Sequence, residues 1–370
     1  MVQLLLNRLR KRRVQLVFCV GLAGLLLLGV AAASGRTGKA KQKPPEVQVP
    51  DLLLAGGRKL TYERSFDSEY EVRLKRRFWT RLFDLVAGPP DFRVLVRPYS
   101  VATDSHGRII VTDPGAMGVH IFDFAQEKYK FLAREDKGKD AMIAPQCVAV
   151  DAQDNIYVTD SEVGKIFVYD ANGRYDRAIG SLRGGEGYFK RPTGIAVDSG
   201  AQRIWIADTL RNQIFVTDMQ GSVLKTIGKR GSGEGEFNFP TELKLDGQNL
   251  IVVDAMNFRV QVIDRNGVFK YAIGKNGDST GSTFRPKGIA VDSEGDLYIV
   301  DGMWSVVQVF NREGQLLYYF GQRGTGAGEF RLPTGLFIDR DDRIFVVDSF
   351  NRRVQVFHYF GLGRRAKEGM

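Results

Sequence analysis

The sequence predicts an all-β fold: a six-bladed β-propeller of four-stranded antiparallel blades, closed by a strand from its own N-terminal region. Three observations carry this. First, one pattern recurs six times, opening at Pro98, Pro145, Pro192, Pro240, Pro286 and Pro333, in steps of 47, 47, 48, 46 and 47 residues. Second, the aspartate closing the next apolar run, Asp113, Asp160, Asp208, Asp254, Asp301 and Asp348, keeps an independent ruler of 47, 48, 46, 47 and 47. A period of 46–48 residues is that of a propeller blade. Third, the sixth repeat ends after its third strand, while a spare strand, Arg58–Phe66, precedes the first repeat. Joining the two closes the ring and hides edges that an open array would expose.

The N-terminal leader comes first. A basic cluster at Arg8–Arg13 is followed by twenty uncharged residues, Val14–Ala33, and by Ala31-Ala32-Ala33 before Ser34. This is the layout of a secretory signal, and the apolar run is also long enough to cross a bilayer. Residues 1–34 are therefore expected to be a cleaved signal or a retained membrane anchor, and either exports the body to an extracytoplasmic, periplasmic-type space. Residues 35–57, with Lys39, Lys41, Lys43, Pro44, Pro45 and Pro50, read as a linker. The closing strand and an amphipathic helix fill 58–91. In the strand, Leu60, Tyr62, Arg64 and Phe66 alternate with Lys59, Thr61, Glu63 and Ser65. Ser68-Glu69-Tyr70-Glu71 has capping-box spacing, and Leu74, Phe78, Leu82, Leu85 and Val86 keep helical period up to Gly88-Pro89-Pro90. Arg73, Arg77 and Arg81 line another face, either solvated or laid on a membrane with Trp79 at the interface.

The propeller spans 92–361, and 362–370 is a tail. Each repeat offers a run after proline such as Gly194–Asp198, a turn such as Asp292-Ser293-Glu294-Gly295, and a second run such as Leu297–Val300. A third run such as Val307–Phe310 and a fourth such as Leu316–Phe320 follow. β-Branched and aromatic residues fill the runs, and Gly, Asp and Asn bound them.

With these residues in hand, the chain resembles the NHL-repeat family. The resemblance rests on Pro-x-Gly-Ile-Ala-Val-Asp, on Asn257-Phe258-Arg259-Val260-Gln261-Val262 and Asn351-Arg352-Arg353-Val354-Gln355-Val356, and on the linkers Gly233–Phe237 and Gly326–Phe330. It covers about 92–360 and implies the propeller fold. It leaves function open, because related propellers bind proteins or RNA and a few are lyases or hydrolases.

Composition narrows the choice. The chain carries a net charge of +10, but residues 1–50 hold nine Lys/Arg and one Glu, so about +2 remains on the body. A near-neutral body and an export leader oppose nucleic-acid binding. Cys19 and Cys147 cannot make a disulfide framework. His106, His120 and His358 fall at different blade levels, which argues against the several-histidine zinc site of related amidating lyases. No catalytic residue, metal or cofactor is assigned. The aspartates from Asp104 to Asp339 that end the first strands, with those that end the second, form either an oxygen cluster for calcium or turn caps; sixfold regularity favours caps.

Candidate binding residues lie where the repeats differ. Two after each proline stand Ser100, Cys147, Gly194, Glu242, Gly288 and Gly335, and Glu242 is the exception among small residues near the axis. Before the prolines, Arg97, Arg191 and Arg285 stand on alternate blades, either around an acidic ligand or paired with local carboxylates. Loops between second and third strands carry Leu210, Met256 with Phe258, Met303 with Trp304, and Phe350. They form a partner arc or pack on the blade below; Phe258, Trp304 and Phe350 join the candidate set. The resulting expectation is a binding or scaffold module for a protein or an acidic ligand. The alternatives are a propeller enzyme, lyase or lactone hydrolase, and an RNA binder.

Overall fold

In the computed structural model, which describes residues 49–72, 92–133, 141–182, 187–277 and 281–361, each repeat forms one antiparallel sheet. Blade 1 runs Ser100–Thr103, Ile109–Asp113, Gly118–Asp123 and Lys128–Ala133, from axis to rim. Blades 2 to 5 repeat this order, starting at Pro145–Val150, Pro192–Asp198, Pro240–Asp246 and Pro286–Val291. Blade 6 takes Pro333–Ile338, Arg343–Asp348 and Arg353–Phe360 from the C-terminal end, then Lys59–Phe66 and Leu52–Leu53 from the N-terminal end. The leader, the stretch expected to be helical beyond Val72, and the tail lie outside the described residues. Among the described residues no helix is long and apolar enough to cross a membrane.

The burial pattern explains the sequence pattern. Second and third strands are sandwiched between neighbouring blades, so Leu297–Asp301 is buried throughout and reads as a continuous apolar run. Fourth strands face solvent on one side, and Leu316–Phe320 alternates up to its buried end. The core is six clusters, each between two adjacent blades. The one between blades 6 and 1 packs Phe66, Phe122, Val347 and Val354.

Closure follows the expected route, with two corrections. A bulge between Tyr62 and Arg64 reverses the alternation of the closing strand. Leu60 and Tyr62 therefore pack toward blade 5, while Phe66 packs toward blade 1, so the four do not share one side. Leu52–Leu53, read as linker, pairs with Lys59–Leu60 as a short edge strand. Ser68 makes no side-chain cap, and only the 3₁₀ turn Glu69–Glu71 follows it within the described residues. At the axis the ring is sealed by Thr334, whose Oγ1 donates to the Tyr99 carbonyl at 2.8 Å. A Cβ on Gly335 would lie 2.7 Å from the Ser100 Cα, so only glycine admits that approach.

The repeat motif is a hydrogen-bond hub. Asp348, fully buried, accepts from the Arg331 amide (2.7 Å), Asn351 Nδ2 (2.8 Å), Arg353 Nε (2.8 Å) and Gln355 Nε2 (3.1 Å). Gln355 and Arg353 also donate to the Glu329 carbonyl, and Gln355 accepts from the Gly328 amide. Asp254, Asn257, Arg259 and Gln261 repeat the arrangement in blade 4. The glycine-rich linkers are thus blade connections held by the next third strand.

Candidate functional site

The innermost strands run from proline to aspartate, which separates two openings of the axial channel. The proline side carries the blade linkers and the loops between second and third strands. There a cavity of about 510 Å³ is lined by Tyr99, Gln146, Thr193, Thr241 and Lys287. These residues follow Pro98, Pro145, Pro192, Pro240 and Pro286. Arg191 and Arg285 stand beside them, and Phe239, Met256, Phe258 and Phe284 form an apolar wall from blades 4 and 5. The volume falls within the range of small-molecule sites.

Charge at this mouth is unbalanced. Among the described residues, no carboxylate lies within ion-pair distance of Arg191, Arg285 or Lys287. Arg211, Arg259 and Arg353, on the same face, each reach the aspartate of their own blade. Burial, then the neighbouring Arg285, holds the Lys287 ammonium below its usual pKa. The Tyr99 phenol, 5.9 Å under Lys287 Nζ by its ring centroid, is pushed up by burial. Three unpaired cations with hydroxyl and amide donors, from Tyr99, Gln146 and Thr193, are chemistry for an anion.

One layer deeper, Cys147 Sγ donates to Glu242 Oε2 at 3.1 Å. Cys147 is buried, and Glu242 lines the axial channel with Ser100, Lys244 and Leu336. Burial lifts the Glu242 carboxyl to about 7 and pushes the Cys147 thiol up as well.

The opposite opening, about 810 Å³, is lined by turn aspartates together with Arg265 and Arg343. Most of these carboxylates cap turns. Asp104 accepts from the His106 and Arg108 amides at 3.0 Å each, and Asp151 from the Gln153 and Asn155 amides at 2.9 Å each. Among the described residues, Asp104, His106 and Asp154 come close enough together to hold a metal. Both carboxylates are already engaged, Asp104 by Arg108 and Asp154 by the Ser105 amide and hydroxyl, and His106 is exposed. His120 is buried elsewhere, on a third strand, with Nδ1 2.8 Å from the Tyr129 hydroxyl.

The fold therefore brings Arg191, Arg285 and Phe258 together and sets Glu242 in the channel below them. Arg97 does not line the cavity; Lys287 stands among the cations where Arg97 was expected. The alternative, that the arginines pair with local carboxylates, does not hold for Arg191 or Arg285. Trp304 (45 % exposed) and Phe350 (55 % exposed) stand free on the same face, outside the cavity. Lys287, Tyr99, Phe239 and Phe284 were missed. The register signal was present: the residue immediately after each proline, passed over for the one two after.

Comparisons agree with this architecture. A family model described as a 6-bladed beta-propeller matches residues 197–257 and 292–362, and an NHL repeat model matches 144–169. No curated protein matches significantly. Among solved structures, a streptogramin B lyase superposes with a TM-score of 0.52 at 14% identity, covering 71% of this chain and 93% of that one. Virginiamycin B lyase from Staphylococcus aureus gives 0.52 at 14%, covering 81% and 99%. An auxiliary nutrient binding protein from Bacteroides thetaiotaomicron gives 0.54 at 13%, covering 71% and 69%. At such identities the likeness is one of fold. With the repeat motif, the six closed blades and these matches together, the chain is a six-bladed β-propeller of the NHL-repeat type.

Proposed function

We propose that this propeller is a binding module that captures an acidic ligand at its proline-side mouth and that it works outside the cytoplasm. The observation that carries the reading is the convergence of Arg191, Arg285 and Lys287 on one cavity without a carboxylate partner. Cations of one sign held together, one of them with a depressed pKa, cost stability unless an anion joins them. Where the acidic group belongs to a protein, Trp304 and Phe350 extend the contact on the same face. Calorimetric titration of the full-length protein with inorganic phosphate, acetate and glutamate-rich peptides tests the site. At least one should bind, and Arg191→Gln with Arg285→Gln should abolish the binding. Unchanged binding in the double variant would overturn the assignment.

Export is supported by the basic cluster and uncharged run of the leader. A C-terminal alkaline phosphatase fusion should be active in cells; an inactive, stably produced fusion places the body in the cytoplasm. A second reading, a propeller enzyme, is favoured by the Glu242 carboxyl at about 7, suited to general acid–base work near neutrality. Absence of turnover of any bound acid would dismiss it, and turnover that survives Glu242→Gln would remove Glu242 from the chemistry.

A further inference from the structure

We propose that the ligand is a small aromatic acid, its anionic head held by Arg191, Arg285 and Lys287 and its ring laid on the wall formed by Phe258, Phe284 and Phe239. This rests on the mouth being an anion site, and adds what the rest of the ligand must be.

The cavity is two-sided. Its cationic half comes from blades 3 and 5, and the wall comes from blade 4 and the linker that opens blade 5. Phe258 and Phe284 meet at 5.9 Å between centroids, tilted by 42°, which leaves ring surface facing the cavity that both line. Phe284 is 41 % exposed, Phe239 37 % and Met256 53 %. A head alone would not use this wall; a ligand with a flat apolar body covers it.

The backbone fixes where these rings stand. Phe258 closes its loop in the left-handed region, at φ 56°, just before the third strand. The equivalent residue is left-handed in every blade, at Met117, Gly164, Asn212, Ser305 and Arg352, so the turn fixes the backbone while the side chain differs from blade to blade. Phe239 is also left-handed, at φ 58°, as is Leu332 at the same place in blade 6, whereas Arg191 and Arg285 are not. Its amide is fixed by Asn212 Oδ1 at 3.0 Å. The two turns thus set two aromatic side chains on the wall of one cavity.

The test compares probes on the full-length protein: 2-naphthoate, 2-naphthalenemethanol, acetate and inorganic phosphate, each titrated by calorimetry. The expected order places 2-naphthoate at least about tenfold tighter than acetate and than the uncharged alcohol. Phe258→Asn, which keeps the left-handed turn, should weaken 2-naphthoate about tenfold while far-UV circular dichroism and the melting temperature show a folded ring. If acetate and 2-naphthoate bind alike, and both depend on Arg191 and Arg285, the anion site stands and the aromatic assignment falls. If 2-naphthoate binding is indifferent to Arg191→Gln with Arg285→Gln, both the anion site and this inference fail.

Discussion

Cys147 of blade 2 reaches Glu242 of blade 4, with Sγ 3.1 Å from Oε2, although blade 3 stands between them. Gly194 makes this possible. It occupies the equivalent place in blade 3, and a Cβ there would lie 2.7 Å from the Glu242 Cα. A missing side chain on one blade lets its two neighbours touch across it. The pair sits at the waist of the channel, below the cationic mouth and above Lys244, whose own pKa is lowered by burial.

The first prediction concerns pH. Glu242 titrates at about 7 in the fold and near the ordinary carboxyl value when unfolded. The native state therefore binds the extra proton between those values. Glu242 contributes no penalty below the unfolded pKa; the penalty builds as pH rises from there to about 7 and is complete above it. Each unit of separation corresponds to about 1.4 kcal/mol, so the penalty at pH 8 amounts to a few kcal/mol at most. Glu242→Gln keeps a partner for Cys147 and should raise the melting temperature at pH 8 while changing it little at pH 4.5. A stabilisation independent of pH would show that Glu242 is not ionising in the channel.

The second prediction separates structural aspartates from bystanders. Asp348 is fully buried and receives four donors, so Asp348→Ala strands a guanidinium and three amides. A loss of roughly 3–5 kcal/mol in urea unfolding is expected. Asp246 ends the first strand of blade 4 and is partly exposed, so Asp246→Ala should stay within about 0.5 kcal/mol. Equal losses would mean that repeat position, rather than the hub, sets the cost.

The hub explains why so much was legible. The aspartate recurs in all six blades, and Asn, Arg and Gln join it at fixed spacing in blades 4 and 6 to hold the linker, which made the period visible. The turn aspartates were readable as caps for the same reason. The closing strand was readable as a missing piece and a spare one. What repetition does not encode is contact between unlike positions. Cys147 and Glu242 are 95 residues apart, and their meeting depends on Gly194 between them. Lys287 went unnoticed because its neighbours in register, Tyr99, Gln146, Thr193 and Thr241, share no chemistry with it. Arg97 and Arg191 looked equivalent in sequence, yet only Arg191 lines the cavity. The bulge at Glu63 left no compositional mark, so the side taken by Phe66 was misread.

The third prediction tests the latch. Phe66 is 2 % exposed and packs against Phe122 and Phe124 at 4.9 and 5.2 Å between centroids. These partners belong to blade 1 and the turn after its third strand, so Phe66 joins the closing strand to the next blade as well as to its own. Phe66→Ala should cost about 3–5 kcal/mol, measured by urea unfolding. Leu53→Ala, on the exposed edge strand, should cost almost nothing. If both were silent, the ring would not depend on its N-terminal strand.

The fourth prediction follows from the unpaired charge at the mouth. Arg285 and Arg191 both depress the Lys287 pKa, after burial, so the three groups repel one another in the free protein. Arg285→Gln removes one repulsion without breaking an ion pair, and should raise stability by some tenths of a kcal/mol at low ionic strength. The gain should shrink in 1 M salt, where charges are screened within about 3 Å. Arg353→Gln is the counterpart, because Arg353 is bonded to Asp348 at 2.8 Å, and that substitution should destabilise at every ionic strength. Opposite signs for two arginines on one face would distinguish a cation held for a ligand from one held for the fold. If Arg285→Gln destabilises as Arg353→Gln does, the mouth contains a carboxylate partner in solution and is not poised for an anion.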